Sequence, residues 1–185
     1  VFFSVKSLFS VKVLFSVKKY IFLNIGENHT SVSIINMQKN SLNIINQTDS
    51  KDISGKKIDF LLMEYFCNQF YQKHKIDIKK DNKTVTKLKK ECEKIKEVLS
   101  INKHYKSNLE YFYKETDFLF SISREEFEQL IFGLSKSLKI LVDDCISNSK
   151  LEKENITTIE LVGGGCRIPL LIKSIKQLNI PTKSS

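Results

Sequence analysis

The chain has 185 residues, enough to bury one good core as a single domain or as two small lobes. Hydrophobic residues at 41% and charged residues at 28% give an ordinary globular balance, and only 6 Gly and 2 Pro argue against a loop-rich or all-β design. The net charge of +9 permits attraction to anionic partners, but no basic block is interleaved with aromatics as a base-stacking platform would be, so nucleic acid is not an expected partner. Cys67, Cys92, Cys145 and Cys166 show no C-x-x-C spacing, which points to buried thiols in a reducing compartment. His29, His74 and His104 are scattered, so neither a zinc site nor a histidine-based triad is indicated.

Residues 1–19 repeat Phe-Ser-Val-Lys every six positions, with apolar residues alternating with Ser and Lys in a period-two, β-like pattern. Lysines spaced so evenly rule out a membrane span or signal peptide, and the segment reads as low-complexity sequence without assigned function. The apolar run 20–25 suits a central strand. A turn at Gly26-Glu27-Asn28-His29 leads to strands at 30–37 and 41–46, joined by Gln38-Lys39-Asn40 as a hairpin.

After a polar loop around Gly55, the recurrence of Ile58, Leu61, Leu62, Tyr65, Phe66 and Phe70 predicts an amphipathic helix with an aromatic face. A second helix over 82–99 places Val85, Leu88, Cys92, Ile95 and Leu99 on one stripe, with lysines and glutamates on its other faces. Residues 109–113 and 118–122 alternate around Lys114–Asp117 as a small hairpin. Ser123-Arg124-Glu125-Glu126 fits a capping box opening one long helix whose stripe runs from Phe127 to Cys145. A polar linker at 150–155 precedes the buried strand 159–162, the turn Gly163-Gly164-Gly165 and a helix over 168–178 with Pro169 in its first turn. Residues 179–185 read as a frayed polar tail. Glycines between a strand and a helix let backbone approach a ligand, and free N–H groups at a helix start favour anions.

Taken together, residues 20–178 resemble the second lobe of the actin-like ATPase domain of the 70-kDa heat-shock chaperones. Gly163-Gly164-Gly165-Cys166-Arg167-Ile168-Pro169 resembles the family's adenosine motif, Gly-Gly-Ser-Thr-Arg-Ile-Pro. Residues 91–100, Glu-Cys-Glu-Lys-Ile-Lys-Glu-Val-Leu-Ser, are similar to its adenine-clamping helix, and Asn24-Ile25-Gly26-Glu27-Asn28-His29 stands in the place of its second phosphate loop, normally Asp-Leu-Gly-Gly-Gly-Thr. Ser54-Gly55-Lys56-Lys57-Ile58-Asp59, Phe66-Cys67 and the altered phosphate loop resemble the large 110-kDa branch.

The resemblance implies an α/β, ribonuclease-H-like lobe, with 20–57 and 123–178 as a lower subdomain and the helices and hairpin of 58–122 as an upper one. It implies an ATP or ADP site, with Mg²⁺ among the family's cofactors. Glu93, Lys96 and Ser100 would line adenine and ribose, and Gly163, Gly164, Gly165 and Arg167 would hold the other side of the adenosine. Gly55 would let backbone pass the ribose, and Gly26 would approach the phosphates.

The departures are as informative. Asn24 stands where the family has a catalytic Asp, Glu27 and Asn28 replace glycines, His29 replaces a hydroxyl residue and Glu97 replaces a base. A neutral amide supplies no charge to Mg²⁺, and Glu27 would repel phosphate. The expectation is a chaperone fragment without the family's first lobe, binding nucleotide with little or no hydrolysis. By family function it would act as nucleotide exchange factor and holdase beside a 70-kDa chaperone, with clients held by regions outside it. An ATP-hydrolysing foldase and a nucleotide-free interaction module docking through helix 82–99 are the alternatives. The cytoplasm is the expected location, with the endoplasmic reticulum lumen second and no membrane partner.

Overall fold

The computed structural model describes residues 18–38 and 41–184. Of the repeat segment 1–19, only Lys18 and Lys19 fall among them, and the hairpin residues Lys39 and Asn40 lie outside them. Five strands form one mixed sheet in the order β3 (Ser41–Ser50), β2 (Thr30–Gln38), β1 (Lys18–Ile25), β6 (Thr158–Val162), β7 (Thr182–Ser184), and a separate hairpin of β4 (His104–Tyr113) and β5 (Thr116–Ser123) stands apart from it.

β1 (Lys18–Ile25) is the middle strand, antiparallel to β2 (Thr30–Gln38) and parallel to β6 (Thr158–Val162). Its apolar run is dictated by that position: Ile21, Leu23 and Ile25 are completely buried, as are Val32 and Ile34 of β2. β3 (Ser41–Ser50) runs four residues beyond the expected end, because its pairing with β2 continues to Thr30 opposite Ser50. A bulge between Ile34 and Ile35 breaks the register there. Beside it, the Asn46 side-chain amide donates to the Cys145 carbonyl at 2.8 Å and fastens the edge strand to the helix packed across it.

Ser123 opens α3 (Arg124–Leu130) with both hydrogen bonds of a capping box present. The single long helix expected here is two: α4 (Phe132–Asn148) starts after a break at Ile131 (φ −98°, ψ 7°). The offset accompanies complete burial of Ile131, and Gly133 just after it weakens the local preference for continuous helix. α4 packs against β2, β3 and α5 (Pro169–Lys176). Residues 179–184 correct the expected frayed tail. Ile180 is buried, the Ile159 N–H donates to the Pro181 carbonyl at 2.8 Å, and β7 (Thr182–Ser184) pairs in parallel with 159–161. The outer edge of β6 would otherwise leave buried backbone groups unpaired, which outweighs the polar composition of that segment.

The other half is built on α1 (Gly55–His74), α2 (Asn82–Ile101), β4 (His104–Tyr113) and β5 (Thr116–Ser123). Ser54 and Asp81 cap the two helices through side-chain oxygens that accept from Lys57 N–H and Thr84 N–H. Gly55 thus belongs to the first turn of α1, not to a loop. The aromatic face foreseen for α1 meets the hairpin: Phe66 lies 5.1 Å from Phe120, Phe70 5.1 Å from Phe118, and Phe118 4.6 Å from Phe120, all edge-on. Such pairs add about 0.5–1.5 kcal/mol each beyond simple burial. Leu88, Cys92, Ile95 and Leu99 bury the expected stripe of α2.

Two losses separate local from collective stabilisation. Ser123→Ala removes one cap and should cost about 1 kcal/mol in urea denaturation, whereas Phe118→Ala opens the aromatic cluster and should cost about 3–5 kcal/mol.

Candidate functional site

Because β1 and β6 run parallel as neighbours, the turns that leave them emerge side by side at the C-terminal ends of the strands, where open α/β sheets place ligands. The first turn is closed by Gly26 N–H donating to the His29 carbonyl at 3.0 Å. Its carbonyls then receive the start of α1: Gly55 N–H donates to Gly26 O at 3.0 Å and Lys56 N–H to Glu27 O at 2.9 Å.

The three glycines of the second turn do different work. Gly163 has φ +88°, and a Cβ on it would stand 2.5 Å from the Ile25 carbonyl and 2.6 Å from Asn24 Oδ1. A Cβ on Gly165 would overlap the Ile25 side chain, while one on Gly164 would meet nothing within 4 Å. Gly163 and Gly165 therefore let the turn seat directly on the end of β1. Cys166 is held behind them, its thiol on the Val162 carbonyl at 3.0 Å, and burial pushes that thiol up from its ordinary value.

Between the turns and α2 lies a cavity of about 460 Å³, within the range of small-molecule sites. Gly26, Glu27 and Gly55 form one wall. Lys96, Glu97, Ser100 and Ile101 project from α2, and Gly164, Gly165, Arg167 and Ile168 complete the enclosure. Seven of the nine residues assigned to a nucleotide site from sequence thus share one cavity: Gly26, Gly55, Lys96, Ser100, Gly164, Gly165 and Arg167. Gly163 is taken up by packing on β1, and Glu93, one turn before Lys96, is half-buried near Asp59 and off the cavity wall. Ile101, 82% exposed, was missed, although the α2 spacing Glu97, Ile101 puts it on the same face.

Lys96 ties three elements together. Its Nζ lies 2.8 Å from Asp59 Oδ2 on α1 and 3.4 Å from Glu27 Oε2 in the first turn. Asp59, only 3% exposed, was also missed as a site neighbour; the signal was a lone carboxylate beside Ile58 on the buried face of α1. Burial raises its pKa, and the hydrogen bond and charge of Lys96 oppose that rise without cancelling it. Asp59 Oδ1 has no hydrogen-bond partner among the described residues. Ser100 Oγ donates to the Glu97 carbonyl at 2.6 Å, and Arg167 is exposed with no ion pair among the described residues.

Asp59 makes the pH response testable. Its folded-state pKa lies above 3.8, so the folded protein holds a proton that the unfolded chain releases, and stability is lost as pH rises through the folded pKa. Urea denaturation against pH should show the wild type losing stability relative to Asp59→Asn as pH climbs past 3.8. Gly163→Ala should cost at least about 1–3 kcal/mol from its backbone conformation alone, with Gly164→Ala nearly neutral by the same measurement.

Comparison with known proteins agrees with this geometry. The Hsp70 protein family model matches residues 15–183. Heat shock 70 kDa protein 16 of Arabidopsis thaliana is 33% identical over 85% of this chain and 21% of its own length. The 97 kDa heat shock protein of Strongylocentrotus purpuratus is 31% identical over 87% of this chain and 18% of its own. Heat shock 70 kDa protein 4L of Homo sapiens is 30% identical over 85% and 19%. The chain spans about a fifth of the length of these curated relatives. With its family match over nearly the whole chain, its large heat-shock relatives and its two neighbouring strand-end turns, the chain belongs to the Hsp70 family and has the fold of the second lobe of an actin-like ATPase domain.

Proposed function

We propose that this lobe forms one wall of an adenine-nucleotide cleft in a chaperone of the large heat-shock type. The reading rests on one observation: α2 and the 164–168 turn enclose a single cavity against the start of α1. ATP or ADP would be held from its adenosine end, with Arg167 as a planar cation for the base, Ser100 as a hydroxyl and Ile101 as apolar cover.

The donor set does not extend this fit to phosphates and Mg²⁺. Glu27 fills the space over Gly55, where a Cβ would overlap its carboxylate, and Asn24 offers a neutral amide where Mg²⁺ favours charged oxygen. Neither residue supplies what hydrolysis here would need, a charged metal ligand and open space for phosphate. The role that follows is regulatory: co-chaperone to a 70-kDa partner, with nucleotide exchange and holding of unfolded clients as activities of the whole protein. Cytoplasmic residence accompanies this reading, since all four cysteines are free thiols.

Calorimetric titration of the 185-residue chain with adenosine and with ADP tests the site. Binding of at least one, weakened fivefold or more by Arg167→Ala, is expected, together with no phosphate release from ATP. Absence of binding by both ligands overturns the adenosine site. ATP turnover abolished by Gly164→Glu overturns the non-hydrolytic role.

A further inference from the structure

The hydrogen-bond inventory of the cavity is unusual for a site that would take a phosphate chain. A phosphate at a helix start needs free N–H groups, and those of α1 are occupied. Gly55 N–H donates to Gly26 O, Lys56 N–H to Glu27 O and Lys57 N–H to Ser54 Oγ. Gly26 N–H is spent on His29 O. The Lys96 ammonium is divided between Asp59 and Glu27. Among the described residues only Arg167 brings a positive side chain to the cavity without an ion pair.

Carboxylates gather on the side of the cavity where a phosphate chain would lie. Glu27 and Glu97 line the cavity, Asp59 stands behind Lys96, and Glu93 lies close enough to Asp59 to raise its pKa. The buried Asp59 Oδ1 has no donor, an expensive state for a carboxylate oxygen. Glu27 and Glu97 on the wall, with Asp59 and Glu93 behind Lys96, thus oppose the two lining cations Lys96 and Arg167. The Glu27 carboxylate over Gly55 attracts hydrogen-bond donors and repels anions at a few ångströms, where charges act strongly.

From this we infer that the cleft selects an uncharged, donor-rich nucleoside over the corresponding nucleoside di- or triphosphate, with Glu27 as the excluding group. The inference rests on the adenosine reading of the cavity and sets its ligand class. A nucleoside supplies sugar hydroxyls and a base amine as donors, whereas a phosphate chain supplies only acceptors and negative charge. Glu27 is suited to exclusion because its carboxylate is pressed into the concavity over Gly55 and fixed there by Lys96. Removing it frees that concavity and returns part of the Lys96 charge to the cavity.

The test is calorimetric titration of the full chain with adenosine and with ADP, for the wild type, Glu27→Gly and Glu27→Gln. Glu27→Gln keeps the size of the side chain, so it reports the charge if the glycine variant disturbs the turn. In the wild type adenosine should bind at least as tightly as ADP. Each variant should shift the ratio of the two dissociation constants at least tenfold towards ADP. Tighter binding of ADP by the wild type, or an unchanged ratio in both variants, overturns the inference and leaves the adenosine site standing. Failure of every protein to bind either ligand overturns both.

Discussion

The seating of the glycine turn on the end of β1 is the constraint on which the rest depends. Two parallel strands put their exits side by side, but a cavity forms only if those exits approach within backbone distance. Gly163 reaches the Ile25 carbonyl and Asn24 through a positive φ, and Gly165 makes room for the Ile25 side chain. These contacts fix where Arg167 and Ile168 emerge, and hence where α2 faces them. The first turn is fixed as firmly from its other side, since its carbonyls accept the opening N–H groups of α1.

Lys96 connects that lower assembly to the helical half. Asp59 belongs to α1, Glu27 to the first turn, and the ammonium that satisfies both comes from α2. A nearly buried pair of this kind is poor evidence of net stability, because desolvation offsets much of the attraction. Its consequence is geometric. The pair holds α2 against the turn and uses the charge that would otherwise meet an anion. Glu27 and Glu97 place carboxylate acceptors on the cavity wall of a chain whose net charge is positive.

Much of the fold was legible in the sequence because its signals are local. The apolar run of β1, the helical stripes of α1 and α2, and the pairing of Ser123 with Glu126 each depend on residues a few positions apart. The failures have a common cause. Residues 179–184 read as polar, yet they complete the edge of β6, a demand created by a strand twenty residues earlier. The break at Ile131 is invisible in the stripe, which continues through it, and accompanies the burial of Ile131 in the core.

The site divides in the same way. Sequence by itself determined which residue types were present and their order: a strand-end turn carrying Glu27 where glycine is usual in the family, a helix carrying Lys96 and Ser100, and a glycine turn leading to Arg167. The tertiary structure alone decided that Gly163 and Gly165 pack on β1, that Glu93 stands off the cavity wall, and that Glu27 and Asp59 converge on one ammonium. Backbone approach and ion pairing join residues 37, 69 and more than a hundred positions apart. No local periodicity carries that information, because it arises only when the sheet and helices have closed around a common core.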